Sequence, residues 1–356
     1  MARKRCHGRL RQHLYILFDD WSSGFSVRKV DVSSATDSEG TVLPSPAIFR
    51  MEAEHEFPHY FAAAFGSKII PMPVRRRILG TASLMPCDAE KITVYDVHKR
   101  GLTGYGPPPK VDPVNPICIP IGNRLFVLSS DSFQVLNPPS VDDPKGQRWK
   151  GSWRKLPLQP FCDHPITSYA VHPDGTTIFV SAENLATSTF ATYTFNTAKS
   201  RSKWKKQGDW KLPFSGRADF DPNLDAWVGI CGDLNSRRNI CACDVVSLQS
   251  DECPALDCKM SKDELFSKGP GDFPANLVFI GNKFCLIECV CLLDDGTEIP
   301  YDPPYIRGRP HFRMVTFSLE YDKNGDLTTA NSHRVRYCKV PKAAGCSMME
   351  PMAFWM

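Results

Sequence analysis

The sequence contains no long apolar run. Its longest candidate, residues 284–293, spans ten residues and includes Glu288, whereas a membrane-spanning helix needs about 18 or more apolar residues. The first eleven residues carry five basic side chains, but no apolar segment follows them, so the pattern of a secretory signal is absent. We therefore expect no membrane partner and a location in the cytoplasm or the nucleus.

Motifs of the common enzyme classes are absent as well. The sequence has no G-x-S-x-G, P-loop or G-x-G-x-x-G, which are the minimal signals of hydrolases, nucleoside triphosphatases and dinucleotide binders. His55 and His59 are spaced like zinc ligands on a helix, but Pro58 between them breaks a helix. Residues 162–164 combine a thiol, a carboxylate and an imidazole, yet neighbours on a strand point in opposite directions. These patterns favour a non-catalytic protein over an enzyme.

Cysteine is too scarce for a disulfide-rich fold. The chain has 14 cysteines in 356 residues, about 4%, against about 8–10% in disulfide scaffolds. Without a secretory signal we expect reduced thiols. Cys241 and Cys243 lie two residues apart in a strand-like run, which places both sulfurs on one face of the strand. Cys253 and Cys258 have the spacing of one half of a structural zinc site, but no second pair of cysteines accompanies them. We expect no catalytic residue, no cofactor or cofactor-binding residue, and no metal ligand.

The composition that is present is globular and rich in proline. The chain is 42% apolar and 23% charged, with a net charge of +4, which excludes a disordered protein. It has 30 prolines, about 8% against a usual 5%. Each proline removes a backbone donor and restricts φ, so the excess argues against long helices.

One pattern recurs about every 50 residues: two apolar strands joined by a tight turn. The turns centre near residues 66, 122, 175, 224 and 281, and several contain Gly-Asn or Asp-Gly, which supply the positive φ of a hairpin turn. A further strand-like run follows each copy. Four strands in about 50 residues are typical of a kelch-like propeller blade. The copies lie at residues 62–70, 117–128, 169–180, 218–230 and 277–287.

The repeat predicts an all-β fold, a single β-propeller of kelch-like four-stranded blades. Five copies and one blade shared by the two chain ends make six blades, although five or seven also fit. The shared blade would combine strands at residues 13–32 with a strand at 332–340. The predicted organisation is a basic tip at 1–12, a propeller at 13–341 and a C-terminal tail at 342–356. A double β-sandwich is the alternative, but it would have no 50-residue period.

Basic runs and long loops are the candidate contact surfaces. The run between Lys199 and Lys206 contains five cations and Trp204; it could meet an acidic partner or phosphates, with Trp204 packed between blades. The run at residues 75–77 is a shorter candidate. A net charge of only +4 argues against a general nucleic-acid binder. Candidate binding loops lie at residues 33–53, 101–115, 138–151, 247–275 and 294–310.

Five segments carry a resemblance to a known family: ITSYAVHPDGTTIFV at 166–180, ATYTFNT at 191–197, QGDWKLPF at 207–214, LDAWVGI at 224–230 and CACDV at 241–245. Residues 13–32 and 122–128 are similar to its opening segments. The chain resembles, over residues 13–341, the uncharacterised plant proteins, abundant in grasses, of domain of unknown function 1668. The resemblance implies a kelch-like β-propeller from a grass. It implies no activity, so no functional residue is transferred.

Three functions remain open at this point, and the weakest of them is a nucleic-acid contact through the basic tip at 1–12, which would show as steeply salt-dependent binding. The first is a protein-interaction scaffold, a rigid ring that presents loops to a protein partner. The second is an enzyme or small-molecule binder that uses the central channel of the propeller. Converging polar side chains at the channel mouth would favour the second. An apolar or aromatic patch on a loop face would favour the first, which is the function we prefer.

Overall fold

The structure is a computed structural model that describes most of the chain. The described residues are 12–21, 24–32, 46–52, 60–72, 76–77, 84–85, 91–111, 113, 115–138, 151–162, 164–233, 238–248, 258–268, 275–300, 309–340 and 352–356. Within them there are 29 strands and no helix. The prediction of an all-β chain is therefore confirmed.

The strands are numbered in chain order. The first thirteen are β1 (Leu14–Trp21), β2 (Gly24–Val30), β3 (Phe49–Glu52), β4 (Tyr60–Ala64), β5 (Lys68–Met72), β6 (Arg76–Arg77), β7 (Leu84–Met85), β8 (Ile92–Asp96), β9 (Gly101–Gly106), β10 (Ile117–Ile121), β11 (Arg124–Leu128), β12 (Phe133–Asn137) and β13 (Ser152–Lys155). The next eight are β14 (Ile166–Val171), β15 (Thr177–Asn184), β16 (Thr189–Asn196), β17 (Lys205–Gly208), β18 (Phe214–Asp221), β19 (Ala226–Cys231), β20 (Ile240–Asp244) and β21 (Cys258–Met260). The last eight are β22 (Ala275–Phe279), β23 (Phe284–Leu292), β24 (Glu298–Pro300), β25 (Arg309–Phe317), β26 (Glu320–Tyr321), β27 (Leu327–Thr328), β28 (Arg334–Lys339) and β29 (Met352–Trp355).

Twenty-four of these strands form units of four. We number the units along the chain: sheet 1 has the order β29-β1-β2-β3, sheet 2 β4-β5-β8-β9, sheet 3 β10-β11-β12-β13, sheet 4 β14-β15-β16-β17, sheet 5 β18-β19-β20-β21 and sheet 6 β22-β23-β25-β28. Neighbouring strands within a unit are antiparallel, and a parallel pairing of β14 with β18 joins sheets 4 and 5. Strand β24 pairs with β23. The two short hairpins β6-β7 and β26-β27 form separate two-stranded sheets.

The hairpin turns explain the repeat. The turn between the first two strands of sheets 2 to 6 has a positive φ at Gly66 (74°), Gly122 (56°), Gly175 (68°), Asp225 (50°) and Gly281 (92°). L-residues with a side chain rarely adopt this conformation, so glycine, or a short polar residue such as Asp, is favoured there. The five turn positions predicted from the sequence are therefore confirmed. Each one opens a four-stranded sheet.

The two chain ends meet in sheet 1, through a different strand from the one predicted. Strand β29 pairs with β1, with Leu14 opposite Trp355 and Leu17 opposite Met352. Residues 352–355 lie in the segment predicted as a C-terminal tail. The predicted partner strand, residues 332–340, instead contains β28, which pairs with β25 at the edge of sheet 6. The prediction was wrong here because it was based on hairpins, in which paired strands follow each other in the sequence. Strand β29 has no such neighbour and pairs with a strand far away in the chain.

Six apolar clusters fill the spaces between these sheets. Each cluster combines residues from two sheets: 1 and 2, 2 and 3, 3 and 4, 4 and 5, 5 and 6, and 6 and 1. Aromatic pairs mark several of them, such as Phe179 with Trp227 at 5.2 Å and Phe18 with Phe312 at 5.0 Å between ring centroids. Each sheet thus buries both faces against neighbours, as blades of a propeller must. The fold is β-propeller-like.

Candidate functional site

The first strands of neighbouring sheets lie beside one another in three places. Strand β14 pairs with β18 in parallel, β4 lies beside β10, and β22 lies beside β29. The polar side chains that these strands bring together form the candidate site. We call it the inner site, and define it as Cys118 on β10, Tyr169 on β14, and Arg217 and Asp219 on β18.

An ion pair forms the centre of the inner site. Arg217 and Asp219 are two residues apart on β18, so both side chains leave the same face of the strand. The Nε–H of Arg217 donates to Oδ1 of Asp219 at 2.9 Å, and Nη2 donates to the same oxygen. The Arg217 side chain remains 52% exposed. The cation is therefore neutralised by its neighbour yet reachable from solvent.

The other two members of the inner site carry protons at neutral pH. Tyr169 lies opposite Arg217 in the parallel pairing of β14 with β18. Burial raises the pKa of Tyr169 to about 12, although the Arg217 charge opposes the shift. Burial also raises the pKa of the Cys118 thiol to about 12. A protonated phenol and thiol can donate hydrogen bonds, but neither is a nucleophile or a general base. The arrangement is suited to binding rather than to acid–base chemistry.

A second polar group lies between sheets 5 and 6. Glu288, which is 2% exposed, accepts from Nη1 of Arg313 at 2.9 Å and from Nη2 of Arg238 at 3.1 Å. The backbone N–H of Ser267 donates to the same carboxylate at 3.0 Å. A buried charge must be paired and hydrogen-bonded, so this network has a structural role and attaches the 261–268 segment to the sheet.

Sequence reasoning noticed Glu288 within its apolar strand but did not find these partners. The two arginines are 50 and 25 residues away from it in the chain. A carboxylate inside an apolar run does signal that a cation must lie nearby. It does not say which of the 43 lysines and arginines supplies it.

An exposed basic surface occupies the outer edge of sheet 4. We call it the basic edge, and define it as Lys199, Arg201, Lys203, Lys205 and Lys206, all of them exposed. Lys206 pairs with Asp209. Across the part of the chain that the structure describes, no carboxylate forms an ion pair with Lys199, Arg201 or Lys203. These three cations remain available to a partner.

Trp204 anchors the basic edge to the core. Its ring lies 5.2 Å from Phe133 of sheet 3, 5.2 Å from Phe195 of sheet 4 and 5.3 Å from Phe161, between centroids. Its Nε1–H donates to the carbonyl of Pro157 at 3.2 Å. The prediction that Trp204 packs between sheets is confirmed. The ring thus packs against side chains of sheets 3 and 4.

Other residues singled out in the sequence do not assemble into a site. His55, Pro58, His59, Arg75, Asp163 and Cys253 lie outside the described residues. The Cys162 thiol donates to the carbonyl of Gln159 at 3.3 Å. Within the described ranges, no three or more His, Cys, Asp and Glu side chains are grouped to hold a metal ion. The same ranges include no helix of the length and apolar character needed to cross a membrane.

The sheets and their shared clusters define a β-propeller-like protein. Its inner site lies on the first strands of three sheets, and the charge of its arginine is neutralised by an aspartate. The chain belongs to the family described as "Protein of unknown function (DUF1668)", whose family model matches residues 11–337. This match confirms the family suggested by the sequence segments. A plant source and kelch-type repeats do not follow from it and stay predictions. No curated protein matches the chain.

Similar solved structures include a β-propeller domain and a bacterial protein. The Cps50 (Swd1) β-propeller domain of Myceliophteria thermophila is 10% identical, with a TM-score of 0.36, and the match covers 63% of each chain. A protein from Lactobacillus plantarum is 11% identical, with a TM-score of 0.40, over 96% of this chain and 99% of that one. These similarities are too distant to assign an activity.

Proposed function

We propose that the chain is a non-catalytic protein-interaction scaffold whose basic edge binds an acidic segment of a partner protein. The observation that carries the proposal is that no carboxylate among the described residues forms an ion pair with Lys199, Arg201 or Lys203. Cations at an interface steer an acidic partner and set its orientation. Because Trp204 holds the segment against three aromatic rings, little conformational freedom is lost on binding.

The proposed scaffold is a closed ring of six kelch-like blades. Two observations support this arrangement. The six apolar clusters join the sheets in chain order, and the last of them joins sheet 6 to sheet 1. Strand β29 also attaches the C-terminal end of the chain to β1. A ring of this kind keeps its surface rigid, which is what a docking platform needs.

The alternative function is a small-molecule binder, or an enzyme, that uses the central channel. It is favoured by the convergence of Cys118, Tyr169, Arg217 and Asp219 on neighbouring first strands. Two features weigh against the catalytic form. Arg217 is already neutralised by Asp219, and the phenol and thiol are protonated at neutral pH.

The test compares two triple variants that carry the same change in net charge. The edge variant is Lys199→Glu, Arg201→Glu, Lys203→Glu. The control variant places the same reversals at other exposed lysines, Lys283, Lys323 and Lys339. Both proteins and the wild type capture partners from an extract of source cells, and captured proteins are quantified by mass spectrometry at low and high salt.

We expect a discrete partner with an acidic segment that the wild type and the control variant both capture. The edge variant should lose it about tenfold, since three rim contacts of about 0.5 kcal/mol each sum to about 1.5 kcal/mol and a factor of ten corresponds to about 1.4 kcal/mol. Equal capture by all three proteins would overturn the proposal. Capture of nucleic acid in place of a protein would also overturn it. Loss of a bound metabolite on Arg217→Ala would support the channel alternative.

A further inference from the structure

Four cysteines lie on one face of sheet 5. Cys231 ends β19, Cys241 and Cys243 alternate along β20, and Cys258 begins β21. Residues two apart on a strand share a face, and so do residues opposite each other on paired strands. Cys243 is opposite Cys258, and Cys231 is opposite Asn239. All four thiols pack in the same apolar cluster between sheets 4 and 5.

The backbone pairing of β20 with β21 decides which two sulfurs can be joined. The N–H of Ser261 donates to the carbonyl of Ile240 at 2.8 Å, so these two residues form a hydrogen-bonded pair. Pair types alternate along antiparallel strands, and three steps further Cys243 and Cys258 therefore form a non-hydrogen-bonded pair. In such pairs the Cα atoms are about 4.5 Å apart, within the roughly 4.4–6.8 Å that a disulfide spans. No backbone movement is needed to join them.

The other cysteine pairs on this face are less suited to a bond. Cys241 lies diagonally from Cys231 and from Cys258. Diagonal neighbours across antiparallel strands are about 7–8 Å apart, beyond the usual disulfide range. Side-chain hydrogen bonds nevertheless link the thiol of Cys241 to those of both Cys231 and Cys258. Cys241 is therefore hydrogen-bonded to both thiols but is not placed to form a disulfide with either of them.

Access to solvent favours Cys258 as the thiol that reacts first. Cys258 is half-buried on the outermost strand of sheet 5, whereas Cys243 is 1% exposed. Cys258 loses its proton to solvent before it reacts, because the thiolate is the nucleophile.

We propose that Cys243 and Cys258 are a thiol-oxidation site that forms a reversible disulfide on reaction with a low-molecular-weight disulfide such as oxidised glutathione. The Cys258 thiolate attacks one sulfur of the reagent, forms a mixed disulfide and releases one thiolate. The Cys243 thiol loses its proton to solvent, and its thiolate attacks the Cys258 sulfur and releases the second thiolate. The two cysteines are oxidised, and the reagent is reduced to two thiols.

The disulfide would fasten the outermost strand of sheet 5. Strand β21 has three residues, and 14 residues lie between the two cysteines in the chain. A bridge that closes a loop of about 15 residues constrains the unfolded chain and stabilises the folded protein. For a chain of 356 residues, the expected rise in melting temperature is about 4 °C.

The test uses the full-length protein. Reduced protein is incubated with oxidised glutathione under native conditions, alkylated and digested, and linked peptides are identified by mass spectrometry. We expect one link, between Cys243 and Cys258, that dithiothreitol reverses and that raises the melting temperature. The variants Cys243→Ala and Cys258→Ala should lack the link. The matched control Cys162→Ala changes another half-buried cysteine outside sheet 5 and should keep it.

Several outcomes would overturn the proposal. They are a glutathione adduct on Cys258 that never resolves, a link that involves Cys231 or Cys241, and no reaction while circular dichroism shows a native protein. The peptide map of the wild-type protein shows which cysteines are linked, even if a variant fails to fold. The variant Cys241→Ala should still form the link, and its loss in a folded protein would overturn the assignment of the link to Cys243 and Cys258.

Discussion

Removal of the charge on Glu288 should destabilise the protein strongly. The substitution Glu288→Gln keeps the shape of the side chain but leaves the buried guanidinium of Arg313, whose side chain is 8% exposed, without its main counter-charge. Its remaining carboxylate partner is Glu298, at 3.4 Å from Nε. Breaking one side of a buried ion pair costs about 3–5 kcal/mol. Arg238, whose side chain is 25% exposed, can turn towards water and adds little.

This energy corresponds to a measurable shift in melting temperature. The entropy of unfolding is about 2.1 cal/mol/K per residue, or about 0.75 kcal/mol/K for a chain of this length. A loss of 3–5 kcal/mol therefore lowers the melting temperature by about 4–7 °C. Differential scanning calorimetry at neutral pH measures it. The control is Glu264→Gln, at a side chain that is 80% exposed and pairs with Lys268, where we expect less than about 1 °C.

A double-mutant cycle separates the ion pair from general damage. The variant Arg313→Met removes the other charge, and the double variant Glu288→Gln, Arg313→Met removes both. Because neither charge is then left alone, the double variant should be more stable than the sum of the single effects by about 2 kcal/mol. Additive effects, or a fall of less than about 1 °C for Glu288→Gln, would refute the reasoning.

Three further perturbations test other parts of the fold. Burial raises the pKa of Asp96, but hydrogen bonds from a lysine and two backbone N–H groups outweigh it and lower the pKa below the ordinary 3.8. The stability that the carboxylate adds is present above pH 3.8 and is lost as the pH falls through the lowered pKa. Asp96→Asn should therefore melt below the wild type at pH 7, with a difference that shrinks below pH 3.8; a constant difference would contradict this. A Cβ at Gly229 would lie 2.7 Å from Phe214, so Gly229→Ala should lower the melting temperature by about 1–4 °C. The control Gly101→Ala, with no atom within 4 Å of its Cβ, should change it by about 1 °C at most. Deletion of residues 352–356 uncovers the edge of β1 and should lower the melting temperature by at least about 5 °C; an unchanged value would refute that pairing.

Local patterns were the part of the fold open to prediction. Glycines and short polar residues at the turns near 66, 122, 175, 224 and 281 marked hairpins because few other residues adopt positive φ. The apolar runs beside them marked strands that are buried on both faces. Trp204 was correctly expected between two blades, since a large aromatic ring beside two strands has most to gain from burial.

Contacts between distant segments were not open to prediction in this way. Strand β29 is four residues long and pairs with a strand more than 330 residues away in the chain. The partners of Glu288 come from three other segments. The inner site needs side chains from β10, β14 and β18, whose neighbourhood depends on how the sheets pack. No sequence motif in these strands identifies the strand or side chain that each one contacts.

The strand-forming segments, the turns, the 50-residue period and the family could all be predicted before any tertiary contact was known. The strands, turns and period depend on short-range preferences of the backbone and on apolar runs, and the family depends on segments of matching sequence. The tertiary structure alone decided which sheet receives the C-terminal strand, which cations pair with Glu288, and which cysteines face each other. Register and sheet packing set those contacts, and a shift of one residue would move every side chain to the opposite face.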